Sequence, residues 1–69
     1  MIHPSAVVSE GAQIDPSAEI GPYCVIGSKV IIGPRTQVGS HVVIEGNTRI
    51  GADNHIHSFS SLGGAPQDK

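Results

Sequence analysis

The segment Ile-Gly-Pro-Tyr-Cys-Val-Ile-Gly at residues 20–27 contains the six-residue unit on which the whole chain is built. Each unit starts with an aliphatic residue, here called the anchor, and the anchor returns every six residues without an insertion. A six-residue period is neither the period of an α-helix nor the simple alternation of a β-strand. It is typical of a solenoid in which each short strand is followed by a bend. The anchors are Ile2, Val8, Ile14, Ile20, Ile26, Ile32, Val38, Ile44, Ile50, Ile56 and Leu62.

The other positions of the unit agree with a short strand that ends in a tight corner. Glycine often follows the anchor, and a small residue usually stands four positions after it. Glycine and proline provide the backbone conformations and the stops that corners need. Three units would close one triangular coil, and successive coils would stack about 4.8 Å apart through parallel strands. The small residues are Ala6, Ala12, Ala18, Cys24, Val30, Thr36, Val42, Thr48, Asn54 and Ser60.

The extent of the repeat predicts the domain organisation. Residues 1–63 should form the coils of a β-helix, and residues 64–69 should begin a loop that leaves it. The regular pattern fails at Pro66, which occupies a small-residue position. A loop that leaves a regular scaffold is a common place for function.

Composition and charge exclude several classes of protein. The net charge is −2 and the four Lys and Arg residues are scattered, so no basic patch for nucleic acid is predicted. The single cysteine fits a reducing compartment, and the start of the chain lacks the pattern of a signal peptide. The longest aliphatic run, residues 30–32, is too short to span a membrane. We therefore expect a cytoplasmic protein with no membrane span, and no feature of the sequence indicates a cofactor.

Sorting the residues by coil predicts one apolar face and two polar faces. Residues eighteen apart stack on the same face, and the first face collects both aromatic residues and three valines. An exposed apolar stripe of this kind is a candidate partner surface. The alternative is that valine merely suits an exposed strand position. The predicted interface consists of Val7, Tyr23, Val25, His41, Val43 and Phe59.

Four motifs carry a resemblance to a known family. They are Ile-His-Pro-Ser-Ala at 2–6, the segment at 20–27, Gly-Asn-Thr-Arg-Ile-Gly at 46–51 and Ser-Leu-Gly-Gly-Ala-Pro-Gln-Asp at 61–68. Together they resemble the N-terminal part of the acyl-carrier-protein–UDP-N-acetylglucosamine O-acyltransferases, within the hexapeptide-repeat acyltransferase superfamily. The resemblance implies an all-β fold, a left-handed parallel β-helix of roughly 3.5 coils, and a homotrimer. The left hand rests on the resemblance alone, because most parallel crossovers are right-handed.

The resemblance also implies a reaction. The family transfers a 3-hydroxyacyl group from acyl carrier protein to the 3-hydroxyl of UDP-N-acetylglucosamine, the first step of lipid A biosynthesis. Its catalytic histidine, a general base, lies in a coil later than residue 69, so we expect no catalytic residue in this chain. Gln67 and Asp68 match the family's pair that contacts the sugar nucleotide, and they are the predicted substrate-binding residues. We expect the chain to be an N-terminal fragment of a longer enzyme and to be inactive alone.

Other interpretations of the same residues remain open. His55 and His57 form a His-x-His pair that could indicate a metal, as in γ-class carbonic anhydrases, but no third ligand stands at a suitable spacing. We therefore predict no metal site. Cys24 occupies an inward position and is expected to be a buried filler rather than a nucleophile. Another hexapeptide-repeat transferase and a non-catalytic trimeric scaffold are the alternative functions.

Overall fold

Ten short strands carry the fold in the computed structural model, which describes residues 1–63. Each strand has two residues, of which the first points outward and the second is an anchor. The predicted loop at 64–69 lies outside the described residues. The strands are β1 (Val7–Val8), β2 (Gln13–Ile14), β3 (Glu19–Ile20), β4 (Val25–Ile26), β5 (Ile31–Ile32), β6 (Gln37–Val38), β7 (Val43–Ile44), β8 (Arg49–Ile50), β9 (His55–Ile56) and β10 (Ser61–Leu62).

The strands assemble into three parallel sheets, one on each face of a triangular solenoid. The first face has the order β1-β4-β7-β10, the second β2-β5-β8 and the third β3-β6-β9. Every pairing joins residues eighteen apart, as in Val25 with Val43. An isolated bridge between Ile2 and Ile20 extends the third face by one more coil. The predicted sorting of residues into three faces is thus confirmed by the register of the sheets.

The core runs through the centre of the coils and is filled by anchors and small residues. Burial is complete in the middle coils, where Ile26, Val30 and Ile44 are 0% exposed. Each fully buried aliphatic side chain contributes roughly 1.5–3 kcal/mol relative to the same side chain in water. Towards the two ends, Val8 and Leu62 are only partly buried, since they have a neighbouring coil on one side only. Within residues 1–63 no helix is long and apolar enough to cross a membrane.

The corners depend on residues in the left-handed backbone region. Five residues that are not glycine have a positive φ, between 55° and 65°, and each stands three positions after an anchor. This conformation is uncommon for bulky residues and needs compensation. In all five the backbone N–H donates a hydrogen bond to the preceding coil, either to a serine hydroxyl or to a backbone carbonyl, at 2.9 to 3.0 Å. The five residues are Tyr23, Arg35, His41, Asp53 and Phe59.

A second set of hydrogen bonds explains which small residues are polar. The carbonyl directly after an anchor accepts one side-chain hydrogen bond in four successive units. The donor comes either from the preceding coil, fifteen residues earlier, or from the same corner, three residues later. Where one of the two positions holds valine, the other supplies the donor. The pairs are Cys24 with Gly39 at 2.9 Å, Thr36 with Gly51 at 2.6 Å, Thr48 with Glu45 at 2.6 Å and Ser60 with His57 at 2.6 Å.

Close contact between coils also requires glycine at certain corners. A Cβ atom at Gly21 would lie 2.5 Å from the carbonyl oxygen of Gly39 in the next coil. That atom belongs to the backbone and has little freedom to move aside. A side chain at this position would therefore force neighbouring coils apart.

Candidate functional site

The first face carries an apolar stripe, as the sequence predicts. Val7 is 60% exposed and Val25 is 39% exposed, whereas Val43 is half-buried. They form one column of directly paired residues, Val7 with Val25 and Val25 with Val43. An exposed apolar column of this kind is a surface that a partner could cover.

The corner between the third and first faces continues this stripe with a stack of rings. The imidazole of His41 lies between the rings of Tyr23 and Phe59, with centroid distances of 5.1 and 5.0 Å. Tyr23 is 62% exposed and Phe59 is 77% exposed. We call Tyr23, His41 and Phe59 the aromatic corner. Each ring contact stabilises the stack by about 0.5–1.5 kcal/mol, and the outer surfaces of the rings remain available.

The corner between the second and third faces is polar, and its charged side chains are paired with groups of the same corner. The guanidinium of Arg35 donates to both carboxylate oxygens of Asp53, at 2.8 and 3.1 Å. This hydrogen bond lowers the pKa of Asp53 and raises that of Arg35. In the coil below, the hydroxyl and backbone N–H of Ser17 hold the pKa of Asp15 below its usual range. These groups bind one another and tie the coils together at this corner.

The corner between the first and second faces has no side-chain ladder within residues 1–63. It also departs from the regular corner geometry. The left-handed residue is Gly11 in the first coil, three positions after the anchor, but Gly46 in the third coil, only two positions after it. Gly63 follows at one position after the anchor Leu62. The regular turn has therefore already changed one coil before the predicted loop begins.

The predicted substrate-binding residues Gln67 and Asp68 lie outside the described residues. Gly46 and Gly63 were not among the predicted site residues, although the sequence carries a signal for a changed corner. Glycine follows the anchor in most units, but Ile44 is followed by Glu45 and the glycine is displaced to Gly46.

The four histidines occupy different environments. The Nδ1 atom of His3 lies 3.1 Å from the backbone nitrogen of Ser5, which donates to it. His41 belongs to the aromatic corner. His55 and His57 lie side by side with ring centroids 5.0 Å apart. Among residues 1–63 no group of three histidine, cysteine, aspartate or glutamate side chains is arranged to hold a metal ion.

The thiol of Cys24 is 0% exposed and donates to the carbonyl of Gly39. It fills the core, as expected.

A shallow groove of about 420 Å³ lies along the third face. Gly21 and Gly39 lie among its lining residues, together with Glu19, Gln37 and His55. These three residues come from successive coils, so Glu19 and His55 are about 10 Å apart along the solenoid axis.

Comparison with known proteins gives the family. The pattern of the bacterial transferase hexapeptide family (six repeats) matches residues 29–64, which is more than half of the chain. The chain belongs to this hexapeptide family. A comparison with curated protein sequences gave no significant match.

Solved structures similar to this chain share its fold. A UDP-N-acetylglucosamine acyltransferase from Francisella novicida is 51% identical over 99% of this chain, with a TM-score of 0.95. LpxA from Acinetobacter baumannii is 48% identical over 97% of the chain, with a TM-score of 0.93. A further UDP-N-acetylglucosamine acyltransferase is 35% identical over 99% of the chain, with a TM-score of 0.95.

These comparisons confirm the predicted left-handed parallel β-helix. This chain spans only about a quarter of the length of the solved chains. It covers 25%, 26% and 26% of them, respectively.

Proposed function

We propose that this chain supplies the first coils of a UDP-N-acetylglucosamine O-acyltransferase. The supporting observation is the 51% identity to the Francisella novicida enzyme over 99% of this chain. The proposed reaction moves a 3-hydroxyacyl group from acyl carrier protein to the 3-hydroxyl of UDP-N-acetylglucosamine, the first step of lipid A biosynthesis. We infer a cytoplasmic location, in keeping with the unpaired thiol of Cys24.

The described coils would contribute a rigid wall to the active site rather than its reacting groups. The family's general base belongs to a coil after residue 69, so the hydroxyl of the sugar would be deprotonated by a histidine from outside this chain. Gln67 and Asp68 are the proposed substrate contacts. The carboxylate can accept hydrogen bonds from the sugar hydroxyls or the acetamido N–H, and the amide can both donate and accept.

We propose that the first face and the aromatic corner form the contact between subunits of a homotrimer. The two outward columns of this face contain three valines and three rings and no formally charged residue. The second and third faces carry charged side chains at the corresponding outward strand positions, such as Arg49 and Glu19. Desolvation on assembly would therefore be least costly at the first face.

A chimera tests the proposed reaction. Residues 1–69 replace the matching quarter of the Francisella novicida enzyme, and acyl transfer from hydroxyacyl carrier protein to UDP-N-acetylglucosamine is measured. We expect activity within about tenfold of the parent, because a compatible wall keeps the substrate in its reactive position. A folded chimera without acyl transfer would contradict the proposal, and so would failure to fold when the parent folds under the same conditions.

The two substrate contacts are tested in the same chimera. Asp68→Asn and Gln67→Ala should raise the KM for UDP-N-acetylglucosamine while leaving the KM for the acyl carrier protein unchanged. Equal kinetics in the variants and the unsubstituted chimera would remove both residues from the site.

Light scattering on the purified 69-residue chain tests the trimer. Val25→Asp places a charge at the centre of the stripe and should shift the mass from trimer towards monomer. Gln13→Asp is the matched control, since Gln13 holds the same outward strand position on the second face. A well-folded monomer of the unsubstituted chain at micromolar concentration, or equal masses for the two variants, would refute the proposed interface.

A further inference from the structure

The exposed apolar side chains of the described coils are concentrated on two adjoining surfaces. We call Val7, Val25 and Val43 the valine column, and the aromatic corner lies beside it. Of the six large hydrophobic side chains that are exposed in residues 1–63, four belong to these two surfaces, namely Val7, Val25, Tyr23 and Phe59. Each surface is a stack of residues eighteen apart, so both run along the solenoid axis. One chain therefore carries two parallel apolar stripes.

The angle between the two stripes is the one that a closed trimer needs. A ring of three copies uses two different surfaces of each copy, and these point about 60° apart, because the centres of the copies form an equilateral triangle. In the triangular cross-section of the three sheets, two faces point about 120° apart, but a face and its adjoining corner point about 60° apart. A face with an adjoining corner therefore fits a trimer. Packing of the first face on itself would instead give a two-fold dimer.

Two corners adjoin the first face, and their charges differ. The corner between the first and second faces carries Glu10, Lys29 and Glu45. The aromatic corner carries no Asp, Glu, Lys or Arg, and neither does the first face. A charged corner would lose its hydration against a column of valines and find no partner there, whereas rings would not. The neutral first face is thus matched by the aromatic corner.

We propose that the aromatic corner of each copy packs on the valine column of the next copy, an inference that rests on the proposed homotrimer. Rotation about an axis parallel to the solenoid leaves every residue at its own height. Tyr23 and Val25 differ in height by only about half an ångström, since a coil of eighteen residues rises about 4.8 Å. Tyr23 therefore lies level with Val25 of the partner subunit, and His41 lies level with Val43 of the partner subunit.

A photoreactive ring at the aromatic corner tests this arrangement. Tyr23→p-benzoylphenylalanine keeps an aromatic side chain and, on irradiation, inserts into C–H bonds within its reach. The variant is irradiated at a concentration at which light scattering shows a trimer, and covalent dimers are isolated on a denaturing gel. Tandem mass spectrometry then locates the adduct, which we expect at Val25 of the partner subunit. An adduct on the aromatic corner, or on the second or third face, of the other chain would overturn the proposal. A trimer that yields no covalent dimer would also overturn it.

Lys29→p-benzoylphenylalanine is the matched control. Lys29 stands three positions after the anchor Ile26, as Tyr23 does after Ile20, but it lies at the other corner beside the first face. This probe should give no adduct on the first face of another chain. Adducts at Val25 of the partner subunit from the Lys29 probe, and none from the Tyr23 probe, would show that the wrong corner was chosen.

A second probe position decides the question if the Tyr23 variant does not assemble. Phe59 is 77% exposed, and Phe59→p-benzoylphenylalanine should label Val43 or Ser61 of the partner subunit. Adducts at these positions support the proposal, and adducts on any other surface overturn it. A monomeric unsubstituted chain is a different result, in which the proposed homotrimer fails and the packing of corner on column falls with it.

Discussion

Replacement of Thr36 by valine isolates one of the hydrogen bonds that close the coil. Thr36 is 0% exposed, and its hydroxyl donates to the carbonyl of Gly51 at 2.6 Å. The hydroxyl oxygen of Thr36 also accepts a longer hydrogen bond from the backbone N–H of Asn54, at 3.4 Å. Valine has nearly the same shape, so Thr36→Val removes both hydrogen bonds without opening a cavity.

The expected loss follows from the groups that remain without partners. A net hydrogen bond contributes about 1 kcal/mol, and the loss of the donor from the buried side of the Gly51 carbonyl adds to the cost, giving roughly 1–3 kcal/mol in total. The long bond to Asn54 contributes little at its distance. With a urea m-value near 1 kcal/mol/M for a chain of this size, the unfolding midpoint should fall by about 1–3 M.

The assay is urea unfolding of the 69-residue chain, followed by circular dichroism at one fixed protein concentration because assembly makes stability concentration-dependent. Thr48→Val is the control, since Thr48 is only partly buried and water can replace its donor to Glu45. Its midpoint should change by less than about 0.5 M. Equal shifts for Thr36→Val and Thr48→Val would refute the reasoning.

A second substitution should restore the lost hydrogen bond. Thr48 and Ser60 each donate to the carbonyl three residues earlier, and Asn54 holds the same position relative to Gly51. Asn54→Thr in the Thr36→Val background should therefore supply a new donor to the Gly51 carbonyl. Most of the fall in the urea unfolding midpoint should then be reversed. If the double variant is no more stable than Thr36→Val, the two donor positions are not interchangeable.

Three further predictions address the corners and the reaction. Gly21→Ala should destabilise the chain by about 2 kcal/mol or more in urea unfolding, because its Cβ would lie 2.5 Å from the Gly39 carbonyl. Gly27→Ala, with 3.4 Å to its nearest atom, should be much milder, and equal losses would contradict the packing argument. The hydrogen bond from Arg35 lowers the pKa of Asp53 from its ordinary value of 3.8. The pair therefore contributes fully to stability at a pH above 3.8, and this contribution is lost as the pH falls through the lowered pKa. Melting temperatures of the parent and Asp53→Asn should converge in that acidic range, and a difference that persists at about pH 2 would argue against it. The 69-residue chain alone should show no acyl transfer in the hydroxyacyl carrier protein assay, and measurable turnover would place the general base within residues 1–69.

The repeat made the fold predictable from sequence because it constrains every residue in the same way. An anchor such as Ile26 must point inward in each unit, and units eighteen residues apart must then pair, as Ile26 does with Ile44. The apolar stripe followed from the same arithmetic, since Val7 and Val25 share one column. Handedness did not follow from the period, because the same spacing of anchors fits coils of either hand.

The corner chemistry was not predictable at the same level. Tyr23 and Arg35 adopt a positive φ that their residue types do not favour, and the compensation comes from hydroxyls eighteen residues earlier in the chain. The aromatic corner was foreseen as a column, but the near-parallel stack of His41 on Phe59, at 9°, depends on the rotation of each ring. The changed corner at Gly46 is marked in the sequence only by a glycine that stands one position later than usual in its unit. That signal is weak compared with the strong period of the anchors.

The three corners differ in how many contacts between coils an inserted loop would break, and this difference favours the predicted position of the loop. A loop inserted at the aromatic corner would separate the rings of His41 and Phe59, and one at the polar corner would separate Arg35 from Asp53. The corner that precedes the predicted loop has no such ladder in the described coils. Glycine is already in the left-handed conformation there, so the backbone can turn away without breaking a side-chain ladder between coils. A loop inserted at this corner would leave the valine column of the first face in register. Among the three corners of the described coils, this one would therefore accept an insertion with the smallest loss of contacts between coils.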